Sequence, residues 1–422
     1  MADDAAPGIG YNRAPGSVIG IPPFMKFYIR TLGCKMNWLD SARLAAALQT
    51  AGHLPVNEES EADYVFVNTC TVTAEADRKS KQTVNRAGRQ QKQVAVMGCG
   101  PRVDPAIWRQ QDGNALVFGD ERQLLEHFGI ENDELLLPLD SRTRLPVAIQ
   151  TGCDNLCTFC ITRVARGRHR SLPVEQILRQ VELALENGIR EIVLTGINLA
   201  AWGCEDSNRP EQARLHELLE SLLSRSEIPR IRISSIGPQF IQPAFFDVYQ
   251  DERICDYLHI SLQSGSDSVL ERMVRGHGTA EVAQIAERAR AVRPGTAMSA
   301  DVIAGFPGES DAEHRETLAF LESIGFAKLH VFPYSIREGT PAAEYPGQVA
   351  PQLRKERAAE IRELARKMRQ QFVRAQYGKR VPVLVEGNGT GLSGNYLRLL
   401  TGDHAQGEIL DVIISEATLA ER

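Results

Sequence analysis

Three cysteines, Cys153, Cys157 and Cys160, lie within the nine-residue segment GCDNLCTFC. Thiolates this close together are ligands of iron–sulfur clusters or of zinc. Three cysteines on one loop can ligate three corners of a four-iron cluster, and the fourth iron then keeps an open position. Zinc is the alternative, but structural zinc favours a second cysteine pair downstream, and none follows here. Cys204 and Cys255 stand alone, and we interpret both as ordinary cysteines.

A second set of cysteines, Cys34, Cys70 and Cys99, ends three strand-like runs: KFYIRTLGC, DYVFVNTC and QVAVMGC. Helical patterns at 40–51 and 74–91 separate these runs, which predicts a β-α-β-α-β unit with a parallel sheet. Ligands of open parallel sheets bind beyond the carboxyl ends of the strands. We therefore expect the three cysteines to converge. Three unrelated buried cysteines are the alternative.

Repeated βα units, which begin with the strand just before the three-cysteine loop, favour a barrel or part of one. Amphipathic helical stretches such as 174–187 and 280–292 alternate with these strands. The cysteine loop follows the first strand and so belongs to the C-terminal face, where barrel sites form. The six predicted strands are VAIQTG (147–152), EIVLTG (191–196), RIRISSI (230–236), YLHISLQSG (257–265), MSADVIAGFPG (298–308) and KLHVFPYS (328–335).

Short β runs broken by glycines, KRVPVLVEG, NYLRLLT and GEILDVIISEA, end the chain and predict a small β-barrel. The whole chain has 422 residues, of which 43% are hydrophobic and 24% charged. No apolar run approaches the roughly 18 to 20 residues of a membrane-spanning helix, and the N-terminus lacks a signal peptide pattern. We expect a cytoplasmic protein without membrane association, whose eight cysteines are not structural disulfides.

Basic residues cluster in three places although the net charge is −6. The segment 78–92 holds six bases and no acid, and the segment 352–380 holds ten Lys or Arg against three Glu. Further arginines, at Arg163, Arg166, Arg168 and Arg170, follow the cysteine loop. Each run alone fits a solvated helix face, whereas three runs on an acidic chain favour a polyanionic partner such as RNA.

The Cys-x3-Cys-x2-Cys loop and the six strands together resemble the radical S-adenosylmethionine (SAM) enzymes. With the three widely spaced cysteines before the barrel and the β module after it, the chain is similar to the methylthiotransferases, whose C-terminal TRAM module binds RNA. The resemblance implies an α/β fold of three parts: an N-terminal βαβ parallel sheet, a partial (βα)6 TIM barrel and a small all-β TRAM-like barrel. The composition of the N-terminus, rich in Gly and Pro, predicts a disordered leader at 1–23. The resemblance covers nearly all of the rest and implies four further segments: a methylthiotransferase domain at 24–140, a radical SAM domain at 141–345, a basic helical linker at 346–377 and a TRAM-like RNA-binding domain at 378–422.

The resemblance further implies two [4Fe-4S] clusters and SAM as cofactors. Cys153, Cys157 and Cys160 would hold the cluster whose open iron chelates SAM, and cleavage of SAM would supply a 5′-deoxyadenosyl radical. Cys34, Cys70 and Cys99 would hold the cluster that handles sulfur. One SAM would donate the methyl group, another would be the radical source, and the net result would replace C–H by C–S–CH3. The cofactors would carry this chemistry, and the protein would position them.

Four motifs, TLGCKMN (31–37), NTCTVTAEADRKSKQ (68–82), RISSI (232–236) and HVFPYSIREGTPAA (330–343), look most like the threonylcarbamoyladenosine subfamily. Lys35 stands where the protein-modifying subfamily usually has proline, and Gly237 where the family has Glu. The resemblance implies conversion of N6-threonylcarbamoyladenosine at tRNA position 37 to its 2-methylthio derivative. The expected partners are the anticodon stem-loop of tRNA and a reductant such as flavodoxin or ferredoxin. Alternatives are the same chemistry on isopentenyladenosine or on a ribosomal-protein aspartate, and a non-enzymatic iron–sulfur RNA-binding regulator.

Several further residues are candidates by position. Phe159, a candidate for cofactor binding, resembles the aromatic residue that packs on the adenine of the nucleoside. Candidates at the strand ends for SAM binding are Thr195, Gly196, Asn198, Gln263, Ser264, Arg275 and Asp301, although the later ones equally fit loop or capping roles. Candidates for substrate contact are Asn37 and Asn68 beside the first cysteines, and Arg163, Arg166 and Arg168, because arginine can hold a carboxylate with two hydrogen bonds.

Overall fold

The computed structural model describes residues 24–111, 113–130 and 143–420, so the expected leader at 1–23 lies outside the described residues. The strands are β1 Lys26–Thr31, β2 Leu54–Pro55, β3 Tyr64–Thr69, β4 Gln93–Gly98, β5 Leu116–Val117, β6 Arg144–Ala148, β7 Gln150–Thr151, β8 Arg170–Ser171, β9 Glu191–Thr195, β10 Arg230–Ile233, β11 Ser235–Ile236, β12 Tyr257–Gln263, β13 Ala297–Ala304, β14 Lys328–Pro333, β15 Arg380–Gly387, β16 Thr390–Ser393, β17 Arg398–Leu400 and β18 Ile409–Ile413. The α-helices are α1 Lys35–Thr50, α2 Ala74–Arg89, α3 Cys99–Val103, α4 Pro105–Gln111, α5 Glu121–His127, α6 Thr162–Arg166, α7 Val174–Glu186, α8 Leu215–Arg225, α9 Phe245–Tyr249, α10 Asp267–Arg272, α11 Thr279–Val292, α12 Asp311–Ile324 and α13 Pro351–Gln376.

The N-terminal part is a five-stranded parallel sheet in the order β2-β1-β3-β4-β5. Its central strand β3 is buried along its whole length, because YVFVNT offers apolar residues to both faces. Phe66 packs into one core cluster, and Val65 and Val67 pack into another on the opposite face. The predicted β-α-β-α-β order is confirmed, but α1 begins at Lys35 rather than near residue 40, because Cys34 caps it in an extended conformation.

The middle part is an open six-stranded parallel barrel. Its two hydrogen-bonded sheets have the orders β10-β9-β6 and β11-β12-β13-β14, and β11 follows β10 after the single residue Ser234. Alternate residues such as Ile192 and Leu194 pack outward against the helices, so Glu191 and Val193 face the lumen. The first strand covers residues 144–148 rather than 147–152, because Gln150 and Thr151 instead pair antiparallel with β8.

The C-terminal part is a four-stranded antiparallel sheet in the order β17-β16-β15-β18. The predicted fold class is confirmed, and the expected small barrel takes the form of this sheet, with Leu399 also bridging to Leu419. The 26-residue helix α13 packs along β13 and β14 before it enters β15. Within the described ranges, no helix is both long and apolar enough to cross a bilayer.

Candidate functional site

Cys153, Cys157 and Cys160, which we name the loop triad, lie between β7 and α6 at the C-terminal end of the first barrel strand. The loop starts at Gly152, whose φ of +71° and close approach to the Arg168 carbonyl leave no room for a Cβ. The Cys153 N–H donates to the Gly167 carbonyl at 3.0 Å, and the Cys160 N–H donates to the Cys157 carbonyl at 3.1 Å. These hydrogen bonds fix the backbone at the first and last cysteines of the loop.

The loop triad lines a cavity of about 160 Å³, which we name the loop cavity. Residues at the ends of later strands form the rest of its wall. The three thiols and the C-terminal edge of the barrel therefore line the same cavity. Burial, with a smaller contribution from Cys157 and Cys160, raises the pKa of the Cys153 thiol to about 11. A bound metal cation lowers the pKa of a thiol that coordinates it. The crowded thiols of the loop triad would therefore be stabilised as thiolates by a cationic group bound between them. The loop triad and its cavity thus fit an iron–sulfur cluster with open space beside it.

Three residues that line the loop cavity carry a buried polar atom without a partner. Among the described residues, Asn198 Nδ2, Gln239 Oε1 and Arg275 Nε are buried and make no hydrogen bond. Arg275 uses its other nitrogens to donate to Cys157 Sγ at 3.1 Å and to the Ser261 carbonyl at 2.8 Å. Gln263 also lines the cavity and has a φ of +77°, a strained conformation that is frequent at functional sites. Buried donors and acceptors left open in this way suit a polar ligand.

The structure separates the predicted SAM-binding residues into two groups. Phe159, Asn198, Gln263 and Arg275 line the loop cavity, and the ring of Phe159 packs edge-on at 6.5 Å from that of Phe306. The remaining four are placed elsewhere: the Thr195 hydroxyl donates to the Val193 carbonyl, Gly196 approaches Gln150, Ser264 contacts Thr317, and Asp301 lies 3.1 Å from His259.

Cys34, Cys70 and Cys99, which we name the sheet triad, converge at the carboxyl edge of the N-terminal sheet. The sulfur atoms of Cys34 and Cys99 each lie 3.7 Å from Asn37 Oδ1. A Cβ on Gly33 would lie 2.9 Å from Cys70 Sγ and 3.3 Å from Asn37 Nδ2, so Cys70 belongs to the same cluster. Burial chiefly, and the neighbouring Cys99 and Cys34, raise the pKa of Cys70 to about 11.

The two asparagines that are candidates for orienting cluster or substrate, Asn37 and Asn68, lie beside the sheet triad and are tied to the backbone around it. Asn37 Nδ2 donates to the carbonyls of Leu32 and Thr69, both at 2.8 Å. Asn68 Nδ2 donates to the Asn37 carbonyl at 2.7 Å. Both asparagines are fully buried, so they shape the cluster site from behind.

Arg166 reaches from the helix that follows the loop triad to the sheet triad. It ends α6, directly after the loop triad, and its buried guanidinium forms an ion pair with Asp40 at 2.7 Å and a short hydrogen bond with Asn37 Oδ1. Burial opposes its charge, but Asp40 and the thiols of Cys99 and Cys34 outweigh burial, so the guanidinium pKa is raised. Arg163 and Arg168, the other two arginines predicted for substrate, have exposed side chains.

The geometry also bears on the zinc alternative. In the part of the chain that the structure describes, no three His, Cys, Asp or Glu side chains are grouped as a single metal ion requires. A four-iron cluster places each thiolate on a different iron and therefore spreads them more widely.

Some residues of the site were missed from the sequence. Gln150 ties the loop to β9, because its Oε1 accepts from the Asn198 N–H at 2.8 Å and its Nε2 donates to the Gly152 carbonyl at 2.6 Å. Gln239 lines the loop cavity beside Gly237. The one signal in the sequence was a polar residue, Gln150, among buried neighbours at the end of a strand.

An open six-stranded parallel barrel with a three-cysteine loop at its C-terminal face defines a radical SAM protein. The family model of the radical SAM superfamily matches residues 147–321, and that of Uncharacterized protein family UPF0004 matches residues 26–119. The chain belongs to the radical SAM methylthiotransferases and is a radical SAM enzyme.

Similar proteins share most of the chain. A threonylcarbamoyladenosine tRNA methylthiotransferase of Rickettsia prowazekii is 33% identical over 87% of this chain and 90% of its own length. A protein with the same name from Bacillus subtilis is 36% identical over 83% of this chain and 82% of its own length. A tRNA-2-methylthio-N(6)-dimethylallyladenosine synthase of Agrobacterium fabrum is 33% identical over 86% of this chain and 87% of its own length. The solved radical SAM methyltransferase TsrM of Kitasatospora setae, at 14% identity and a TM-score of 0.56, covers 76% of this chain and 77% of its own, and shares the fold.

Proposed function

We propose that this enzyme methylthiolates N6-threonylcarbamoyladenosine at position 37 of tRNA, at ring carbon C2. The observation that carries the proposal is that α6, which follows the loop triad, packs against α3, which begins at Cys99, and that the buried Arg166 at the end of α6 pairs with Asp40 and Asn37 beside the sheet triad. Relatives named for threonylcarbamoyladenosine, at 31–36% identity, support the choice of nucleoside. The relative named for dimethylallyladenosine keeps the isopentenyl nucleoside as the second candidate.

In this proposal the loop triad and the sheet triad each hold one [4Fe-4S] cluster. When bound, the two clusters and SAM supply C–H activation and sulfur for C–S bond formation. Arg275 offers a cation to the carboxylate of methionine, and Asn198 and Gln239 offer the unpaired atoms that its polar groups need. Phe159 closes the loop cavity on its apolar side and excludes water there.

The RNA partner in the proposal is the anticodon stem-loop. A base in this loop is unpaired and enters a pocket at lower cost than a base in a stem, which must first be flipped. A cytoplasmic flavodoxin or ferredoxin supplies electrons to the cluster of the loop triad.

The test is mass spectrometry of nucleosides from tRNA incubated with reconstituted enzyme, SAM and a reductant. Threonylcarbamoylated and isopentenylated tRNA are presented separately, and the expected mass gain falls on the threonylcarbamoyl form. A gain on the isopentenyl form alone would refute the nucleoside and keep the chemistry. Nucleosides from a deletion strain provide the matching test in cells.

A further inference from the structure

A second cavity lies where the three parts of the chain meet, and we name it the junction cavity. Its volume is about 310 Å³, which is at the lower end of the range for small-ligand sites. Lys35, the first residue of α1, reaches it from the N-terminal part. Arg144 and Val193 line it from the barrel, and Glu386 lines it from the C-terminal sheet. The reaction described above leaves this cavity without a role.

Lys35 is the unpaired charge of the junction cavity. Within the described part of the chain its ammonium group makes no hydrogen bond or ion pair, although Arg232, Arg144 and Glu191 surround it. The side chain lines the cavity and is exposed. An ammonium group that meets no carboxylate of the protein is free to bind an anion that enters the cavity.

The carboxylates near Lys35 are already engaged by arginines. Glu191 accepts from Arg230 at 2.9 Å and from Arg232 at 2.7 Å. Glu386 pairs with Arg144 at 2.6 Å and with Arg398 at 2.8 Å. The charges around the junction cavity therefore leave Lys35 available to an anionic ligand.

We propose that Lys35 binds the carboxylate of the threonylcarbamoyl group and so selects the modified adenosine. This inference rests on the proposed function and names the residue behind its choice of nucleoside. The cavity wall also suits the rest of the arm, because Pro146 and Val193 offer apolar contact for its methyl group and Thr143 lies beside them for its hydroxyl.

The position of the junction cavity agrees with attack at C2. Val193 on β9 lines this cavity, and Ile197, just after β9, lines the loop cavity. Four residues of extended chain separate them by roughly 13 Å. An adenine placed in the lumen between the two cavities turns C2 toward the loop triad while its N6 arm reaches Lys35. The arginines predicted from the sequence for this task do not line the junction cavity, and Arg166 is committed to Asp40.

The test compares two anticodon stem-loops that differ in one group: threonylcarbamoyladenosine with its free carboxylate, and the same nucleoside as the neutral primary amide. Binding to anaerobically reconstituted holoenzyme is measured by fluorescence anisotropy. Wild type should bind the acid about 10- to 150-fold more tightly than the amide, as expected for a hydrogen bond to a charged group. Lys35→Gln should bind acid and amide equally, and Lys35→Arg should restore most of the preference.

Lys26→Gln, which removes an exposed lysine of the same sheet, is the matched control and should keep the full preference. Iron content reports whether each variant is assembled, and the comparison of acid with amide on wild type needs no variant. Lys35→Gln with an intact acid preference, or wild type with none, overturns the inference. Failure of this inference and failure of the proposed function are distinguished by mass spectrometry with the isopentenyl substrate. If the proposed function is wrong, the enzyme methylthiolates the isopentenyl nucleoside instead of the threonylcarbamoyl one.

Discussion

At the scale of single residues, the six clustered cysteines differ from the two solitary ones in what surrounds their sulfur atoms. Cys204 Sγ donates to the Arg209 carbonyl at 3.5 Å, and Cys255 Sγ lies 3.8 Å from Glu191, so each is part of one local packing arrangement. The loop triad instead brings three thiols of one loop to a single cavity, and the sheet triad brings together thiols that follow three strands. This difference supports the proposal that the two triads hold the clusters.

Replacement of the loop triad by alanine should remove one cluster and leave the other. Reconstituted wild type should hold about eight irons, and the triple variant about four, without cleavage of SAM. Alanine at Cys70 should abolish methylthiolation while SAM cleavage persists, because the loop triad is on a different element. Iron analysis and detection of 5′-deoxyadenosine provide the measurements. Cys204→Ser is the control, and full iron in the triple variant would contradict the assignment.

The convergence of the sheet triad could be predicted because a strand pattern of a few residues fixes where each strand ends, and each of its cysteines follows a strand. The loop triad lies on a single loop after the first barrel strand. Asn198 and Arg275, predicted to bind SAM from their positions after strands, line the loop cavity, and their role stays a prediction. The surroundings of Lys35 and Arg166 could not be predicted, because they depend on how separate parts of the chain pack. Sequence periodicity reports local structure and is silent about such contacts.

At the scale of elements, helix α13 shows how a basic run divides between structure and surface. Arg357 is buried in ion pairs with Glu309 and Asp311, and Arg354 is buried over the ring of Tyr334. Lys367 and Arg374 are exposed, and they lie seven residues apart on one helix face. The segment 78–92 divides similarly, since Lys81 and Arg86 are already in ion pairs. The basic runs are therefore only partly available to RNA.

Charge reversal of both Lys367 and Arg374 to Glu should weaken tRNA binding if this face of α13 contacts phosphates. All tRNAs should be affected about equally, because phosphate contacts carry no sequence information. The slope of log affinity against log salt should fall by roughly 0.7 to 0.9 for each lost contact. Binding titrations at several salt concentrations measure both effects, with Lys26→Glu as control. An unchanged slope would remove α13 from the RNA interface.

At the scale of the whole molecule, Glu191 joins the barrel to the C-terminal sheet. It is fully buried and accepts hydrogen bonds from Arg230 and Arg232. These arginines also donate across the interface, Arg230 to the Leu392 carbonyl at 3.2 Å and Arg232 to the Gly394 carbonyl at 2.7 Å. The C-terminal sheet is thus held by buried charges as well as by the linking helix, and its position relative to the junction cavity is fixed.

Glu191→Gln should destabilise the protein by about 3 to 5 kcal/mol, because it leaves two buried arginines without a counter-charge.

Burial opposes ionisation of Glu191, but Arg232 and Arg230 outweigh it and lower its pKa to about 2. Its unfolded value is near 4.5, so the stabilisation is present above pH 4.5 and is lost as the pH falls toward 2. The difference between wild type and variant in denaturant unfolding should shrink over that range. Glu175→Gln, which breaks an exposed pair with Arg225, should change the stability much less, because solvent screens that pair. Limited proteolysis should also cut the variant first between α13 and β15. Equal losses for the two variants would show that Glu191 does not hold the interface.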